Sequence, residues 1–309
     1  MIDPDFFGCS GKLSYEETRS LVAGVGRKTP GGDFSELASE GTVVTSIDRV
    51  HRCADDWDRF ARIALNHAIG DVACAGAMPV QVMLSFEFGV DADDSEHAAC
   101  SNAFARELAA RNISLGKCHS SRSLGLTAVT IATLATSPVR LRPQLCEGSL
   151  YLSRPLGAFK LHFLADMGAP IVANEALTLL EYPGDEAFHL VRWSLVTDVS
   201  GHGLLGAVAQ VAETYGLEVD LRLSADHAIS PEIFERPVDC LQNSMASYGI
   251  PLGDWDVPAV TLATLRETAG PFLGFAEDDP EGGSPTDRVG LRVGSYRRGE
   301  WKVGGAWSE

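Results

Sequence analysis

The sequence has no CxxC pair: its seven cysteines stand at 9, 53, 74, 100, 118, 146 and 240, at irregular spacings. An odd number without paired spacing supports neither a disulfide framework nor a structural zinc site. Nor does any stretch approach the roughly 18 consecutive apolar residues of a membrane span. The opening MIDPDFFGCSGK lacks the basic segment and continuous apolar run of a secretory leader. Cations are scarce, 25 Lys and Arg against 42 Asp and Glu, and the formal net charge of −17 repels a polyphosphate backbone at long range. The absences together predict a reduced, cytoplasmic protein with no nucleic-acid and no membrane partner.

What is present is ordinary globular composition: 45% apolar and 22% charged residues over 309 positions, length enough for two domains. Residues 42–47 (TVVTSI) are β-branched and predict a buried strand ending at Asp48. From Asp56 to Ala75 the apolar positions Phe60, Ile63, Ala64, Ala68, Val72 and Ala75 recur every three or four residues, as one helix face requires, with Gly76 and Pro79 ending it. The pattern then predicts a strand over 80–88, a helix over 95–111 with Ser95 as N-cap, and a strand over 126–134. SPVRLRPQLCEGS (137–149) breaks the pattern and marks a boundary between domains 1–142 and 143–309. The second half predicts a strand at YLSRP, a helix around 165–180, the strand LVRWSLVT (190–197) and a helix over 203–215. An exposed acidic loop over 277–288 follows, and RVGLRVGSY is expected to close the sheet.

Four aspartates stand at strand ends, helix faces or glycine-flanked turns: Asp33 after Pro30-Gly31-Gly32, Asp48, Asp71 in the helix, and Asp198 before Val-Ser-Gly-His-Gly. A hard cation on a polyphosphate takes few protein carboxylates and completes its octahedron with phosphate oxygens and water. Carboxylates from separate segments meeting at one spot therefore suffice. Each can equally be an N-cap or turn aspartate, and spacing alone leaves both readings open. Gly8-Cys9-Ser10-Gly11-Lys12 sets a thiol three residues before an ammonium, which lowers a thiol pKa and can hold a transferred phosphoryl group. The same five residues also read as a plain chain terminus with an incidental cysteine, and they lack the spacing of a Walker A loop.

Longer stretches repeat one family's motifs in order: GCSGK (8–12), GGD (31–33), TSID (45–48), RIALNHAIGDVACAGAMP (62–79), LYLSRPLG (150–157), TDVSGHGLLG (197–206), CLQNSMASYG (240–249) and ETAGPFL (267–273). Together they resemble selenophosphate synthetase, also called selenide, water dikinase, as a divergent member of the aminoimidazole ribonucleotide synthetase-like superfamily. The resemblance implies an α+β, two-domain fold in which the N-terminal sheets of two chains form a shared β-barrel, hence a homodimer. It implies ATP as substrate with Mg2+, and selenide attacking the γ-phosphoryl group to give selenophosphate, AMP and phosphate. By position it assigns Cys9 and Lys12 as catalytic and Lys12, Gly31, Gly32, Asp48, Asp71, Lys117, Cys118 and His119 to ATP. Asp33, Asp71 and Asp198 fall to the metal.

The chain also departs from that family. Gly116-Lys117-Cys118-His119-Ser120 replaces a nucleotide loop reading Ala-Gly-Gly-His-Ser, so two glycines that permit close backbone approach are gone. Lys117 could instead add a phosphate contact. His67 replaces an asparagine, His202 a phenylalanine, Ala207 a histidine and Pro271 a glycine. These changes keep two alternatives open: a phosphotransferase acting on another small acceptor, and a catalytically weak nucleotide-binding paralogue that regulates a partner.

Overall fold

The computed structural model describes residues 16–17, 35–37, 42–137, 145–171, 173–181, 193–248, 255–277 and 290–307. The described chain forms two sheets, one from residues before 138 and one from residues after 146. The first contains β1 (Ser35–Leu37), β2 (Thr42–His51), β3 (Met78–Gly89), β4 (Ser114–Ser123) and β5 (Ala128–Ser137), in the order β1-β2-β5-β3-β4. Its pairs are antiparallel except β3 with β4, which run parallel because a helix, α2 (Asp94–Ala110), joins them.

Side chains alternate across these strands. Val44, Val50, Val82, Leu84, Phe86, Val129 and Ile131 face inward and are buried. Ile47, Ala132 and Met83 lie in one cross-strand row on the opposite face, where Ile47 is 70% and Met83 39% exposed.

The helix α1 (Trp57–Cys74) lies between this sheet and the second half. Its N-cap Asp56 accepts a hydrogen bond from the Arg59 amide at 2.7 Å, satisfying one of the free amides of the first turn. It is buried almost all round, Phe60, Ile63, Ala64, Leu65 and Ala68 entering the main core with Phe159, Phe163 and Leu180 of the second half. A helix enclosed in this way must find internal partners for its polar side chains. Asn66 accordingly donates to the carbonyls of Leu180 and Glu181, at 2.5 and 2.8 Å.

The second sheet has the order β11-β8-β10-β6-β9-β7, built from β6 (Glu147–Leu152), β7 (Leu195–Asp198), β8 (Leu217–Leu223), β9 (Phe272–Glu277), β10 (Leu291–Arg298) and β11 (Lys302–Trp307). Helices α3 (Ala158–Asp166), α4 (Asn174–Glu181), α5 (Gly203–Tyr215), the short α6 (Glu232–Glu235) and α7 (Val257–Ala263) complete it. Leu204, Leu205, Val208 and Val211 of α5 pack onto Leu150, Val219, Leu221 and Phe275 of the sheet.

Several sequence expectations are corrected. Asp48 lies within β2, which runs three residues past it because Arg49, Val50 and His51 still pair with Thr130, Val129 and Ala128. Asp93, not Ser95, caps α2: its carboxylate accepts from the Glu96 amide, and the Ser95 hydroxyl donates to it as well. The helix expected around 165–180 is two, α3 and α4, separated at Gly168, which takes φ +83°. The strand expected to close the second sheet, β10, is central, flanked by β8 and β6, and β11 and β7 form the edges. Residues 116–120, expected as a nucleotide loop, belong to the edge strand β4 in register with β3. Lys117 and Cys118, the replacements for two glycines, suit an extended strand rather than a tight loop. Most of the expected acidic loop at 277–288 lies outside the described residues.

Candidate functional site

Three of the four aspartates occupy elements that meet around α1. His67 and Asp71 are one turn apart on the helix and project on the same face. Asp71 accepts a short hydrogen bond from the hydroxyl of Ser46 on β2, and that hydroxyl lies 3.3 Å from Asp48 Oδ2. Ser46 and Asp48 are two apart in an extended strand, so both face the helix. His67 is 3% exposed; its Nε2 lies 3.7 Å from Asp48 Oδ1 and its Nδ1 accepts from the Ala269 amide at 3.4 Å.

Asp198 enters from the opposite side, as the last residue of β7. With Asn66, His67 and Gly70 of α1 and Ala269, Gly270 and Phe272 it lines a narrow cleft between the two halves. The turn after it is tied down on every side. Val199 donates to the Pro271 carbonyl at 2.8 Å, Glu267 donates to Ser200 at 3.1 Å, Asn243 reaches Gly201 at 3.2 Å, and the Tyr248 hydroxyl reaches His202 at 2.7 Å.

Two glycines allow this packing. Gly203 opens α5 with φ +66°, where a Cβ would stand 2.7 Å from the Leu265 carbonyl oxygen. A Cβ on Gly270 would lie 1.9 Å from the carbonyl oxygen of Val199. The backbone of 267–271 thus runs directly against the turn that carries Asp198.

Behind the cleft sits a buried ionic group. Glu267 accepts from the amides of Gly157 and Phe159, at 2.5 and 3.3 Å, at the start of α3. Burial pushes its carboxyl up to about 7, against the pull of those two amides and of Arg154. Arg154 itself donates to the Ala269 carbonyl at 2.5 Å and to Leu179 at 3.0 Å. The segment 267–270 is therefore held from α3, from Arg154 and from α1, and Ala269 within it adopts φ +51°, a conformation that costs a non-glycine residue energy.

The structure does not bring every expected residue here. Cys118 shares a cross-strand row with Asp48, through Ile131 and Leu84, but stands three strands away, roughly 14 Å at ordinary strand spacing. Lys117 and His119 alternate onto the opposite face of the exposed edge strand. Cys9, Lys12, Gly31, Gly32 and Asp33 lie outside the described residues. Among the described residues no group of three or more His, Cys, Asp or Glu side chains is arranged to hold a metal ion. The sequence reading missed Ser46, whose signal is its place two residues before Asp48 on one strand face. It also missed Asn243 and Tyr248 as the supports of the Asp198 turn.

Two sheets with a cleft between them that Asp198 and His67 line define the class: an α+β protein of the AIR synthase-like fold. Residues 31–136 match the family model of AIR synthase related protein, N-terminal domain, and the chain is similar to proteins named selenide, water dikinase. It is 28% identical to the selenide, water dikinase of Yersinia pestis over 195 residues, 59% of this chain and 55% of that protein, so the match spans about half that relative's length. With the protein of the same name from Photobacterium profundum it shares 26% identity over 272 residues, 80% of this chain and 75% of the other.

Solved structures agree on the fold. AaThiL complexed with AMPPCP and TMP superposes with a TM-score of 0.69 at 14% identity, covering 96% of this chain and 94% of that one. The thiamine monophosphate kinase of Aquifex aeolicus gives 0.67 at 13% identity, over 94% and 96% of the two chains.

Proposed function

We propose that this protein is an ATP-dependent phosphotransferase that transfers the γ-phosphoryl group of ATP to selenide or a closely related chalcogen nucleophile. In this reading the chalcogen attacks the γ-phosphorus, a chalcogen–phosphorus bond forms, and the bond to the bridging oxygen breaks with ADP as leaving group. Water then hydrolyses the remaining anhydride to AMP and phosphate. The observation that carries the reading is the placement of acidic groups around α1: Asp71 on the helix, linked through Ser46 to Asp48 on β2, and Asp198 in the cleft beside His67 and Gly70 of the same helix. Relatives named selenide, water dikinase and a structural neighbour solved with AMPPCP support ATP as the donor.

The donor set is carboxylate oxygen, which fits a hard divalent cation such as Mg2+. Asp71 and Asp198 would hold it, together with Asp33. When bound, such an ion neutralises triphosphate charge and orients the transferred group. Asp48 is assigned to the nucleotide, Lys12 to the charge on the transferred group and Cys9 to the chalcogen, with Gly31 and Gly32 assigned to ATP. The working unit is a homodimer, in which the apolar outer face of the first sheet, with Ile47, Met78 and Met83, meets a second copy.

One observation favours a second reading. The family's nucleotide loop is here the edge strand β4, with Lys117 and His119 turned from the side that faces α1. That change fits a different small acceptor, or a nucleotide-binding paralogue with weak catalysis. Phosphorus NMR of the pure protein with ATP and Mg2+, with and without selenide or sulfide, separates the readings. A new chalcogen–phosphorus resonance with AMP and phosphate supports the first. ATP consumption without it moves the acceptor elsewhere, and no ATP consumption supports the regulatory paralogue.

A further inference from the structure

His67 stands where the family has asparagine, and it connects elements that the sequence separates by about two hundred residues. The Ala269 N–H points at Nδ1, so Nδ1 must be the acceptor and the ring proton of the neutral imidazole sits on Nε2. Nε2 faces Asp48 Oδ1 at 3.7 Å, while the other Asp48 oxygen lies 3.3 Å from the Ser46 hydroxyl. One row of polar groups therefore runs from Ala269 through His67 to Asp48 and Ser46 and ends at Asp71.

The Ala269 end of this row is rigid: its carbonyl is held by Arg154, and its neighbour Gly270 is wedged against Val199. We infer that His67 is a positioning residue that fixes the Asp48 carboxylate by transmitting to β2 the placement of the 267–270 segment. It touches no reacting atom in this role. Asparagine can do the same in kind, since its amide oxygen accepts and its amide nitrogen donates, whereas an apolar side chain can do neither. Imidazole has the longer reach across a contact in which His67 is buried and Asp48 partly exposed. The ATP arm of the test rests on the proposed function; the tautomer does not.

The experiment uses the full chain labelled with 15N-histidine, in which a long-range proton–nitrogen correlation distinguishes the two neutral tautomers. The His67 resonances are assigned by their loss in His67→Asn. The expected result is the Nε2–H tautomer, with a ring shift that moves in Asp48→Asn. ATP titration by calorimetry should then show His67→Leu binding about tenfold more weakly, the loss of one well-placed polar contact, and His67→Asn recovering most of it. Rescue by asparagine is what a merely space-filling histidine would not give.

An Nδ1–H tautomer overturns the inference, as does a His67 ring indifferent to Asp48→Asn. His67→Leu binding ATP like the parent also overturns it. Should His67→Leu fail to fold, the tautomer and the asparagine variant still decide. If the parent chain binds no ATP, the nucleotide reading fails, and the positioning role stands or falls on the tautomer and its response to Asp48→Asn.

Discussion

The hydroxyl of Ser46 on β2 donates to the carboxylate of Asp71 on α1, joining two residues 25 positions apart at the centre of the molecule. The bond shows how a carboxylate in an otherwise buried helix is tolerated, since an ionised group enclosed without a donor would cost several kcal/mol. It also makes Asp71→Asn a clean variant, because the amide oxygen can still accept from Ser46 while the charge is lost. We expect a folded protein with an unchanged melting temperature to within a few degrees and ATP turnover reduced at least ~100-fold. Near-parental turnover in that variant would remove Asp71 from the proposed metal site.

Glu267 predicts a pH dependence of stability. Its carboxyl ionises near 4.5 in the unfolded chain and is raised to about 7 by burial in the folded one. Between those values the native state holds the proton more tightly, so stability present at acid pH declines as pH rises through the window and levels off above it. The single-group effect is roughly 3 kcal/mol, taking ~1.4 kcal/mol for each tenfold difference in proton affinity between the folded and unfolded chains. Urea midpoints measured from pH 5 to 8 should fall for the parent chain and stay nearly level for Glu267→Gln. Parallel curves for the two proteins would mean that Glu267 is ionised across the range.

The cysteines should separate by reactivity. Burial pushes the Cys100 thiol up to about 12, so almost no thiolate exists at neutral pH, and Cys53 and Cys74 are buried as well. Cys118 is exposed, yet partial burial of its thiol raises it too. Cys9, beside Lys12 in sequence, is expected to be alkylated faster by iodoacetamide than any of these, to be slowed by ATP with Mg2+, and to lose its advantage in Lys12→Ala. Mass-spectrometric rates at each site measure this. Equal rates at Cys9 and Cys118 would take away the support for chalcogen chemistry.

The outer face of the first sheet predicts self-association. Ile47, Met78 and Met83 share that face, with Ile47 and Met78 each about 70% exposed. Light scattering should give twice 33.0 kDa, and Ile47→Asp combined with Met83→Asp should give the monomer by placing unpaired charge in an apolar contact. A parent chain that stays monomeric over micromolar concentrations would exclude the proposed dimer.

Much of this molecule was legible from pattern. The helix over 57–74 follows from its apolar spacing, and the helix over 203–215 follows from the glycine turn before it. Ser95 misled as a cap because Asp93, two residues earlier, offers a stronger acceptor to the same free amides. The loop expected at 116–120 misled because a parallel edge strand is chosen by its partner β3, and local sequence carries little of that choice.

The sequence by itself determined which residue types were available for chemistry and on which elements most of them lie. Asp48 sits on a strand, Asp71 on a helix and Asp198 before a glycine turn, because periodicity and turn chemistry act over a few residues. Only the tertiary structure decided that Asp71 meets Ser46, that Asp198 lines a cleft beside His67 of the same helix, and that Lys117 and His119 turn away. Those relations depend on a helix packed between two sheets and on backbone approaches such as Gly270 to Val199, which involve residues tens to hundreds of positions apart. Hydrophobic burial and the need to satisfy polar groups inside it set those distances, and neither acts along the chain.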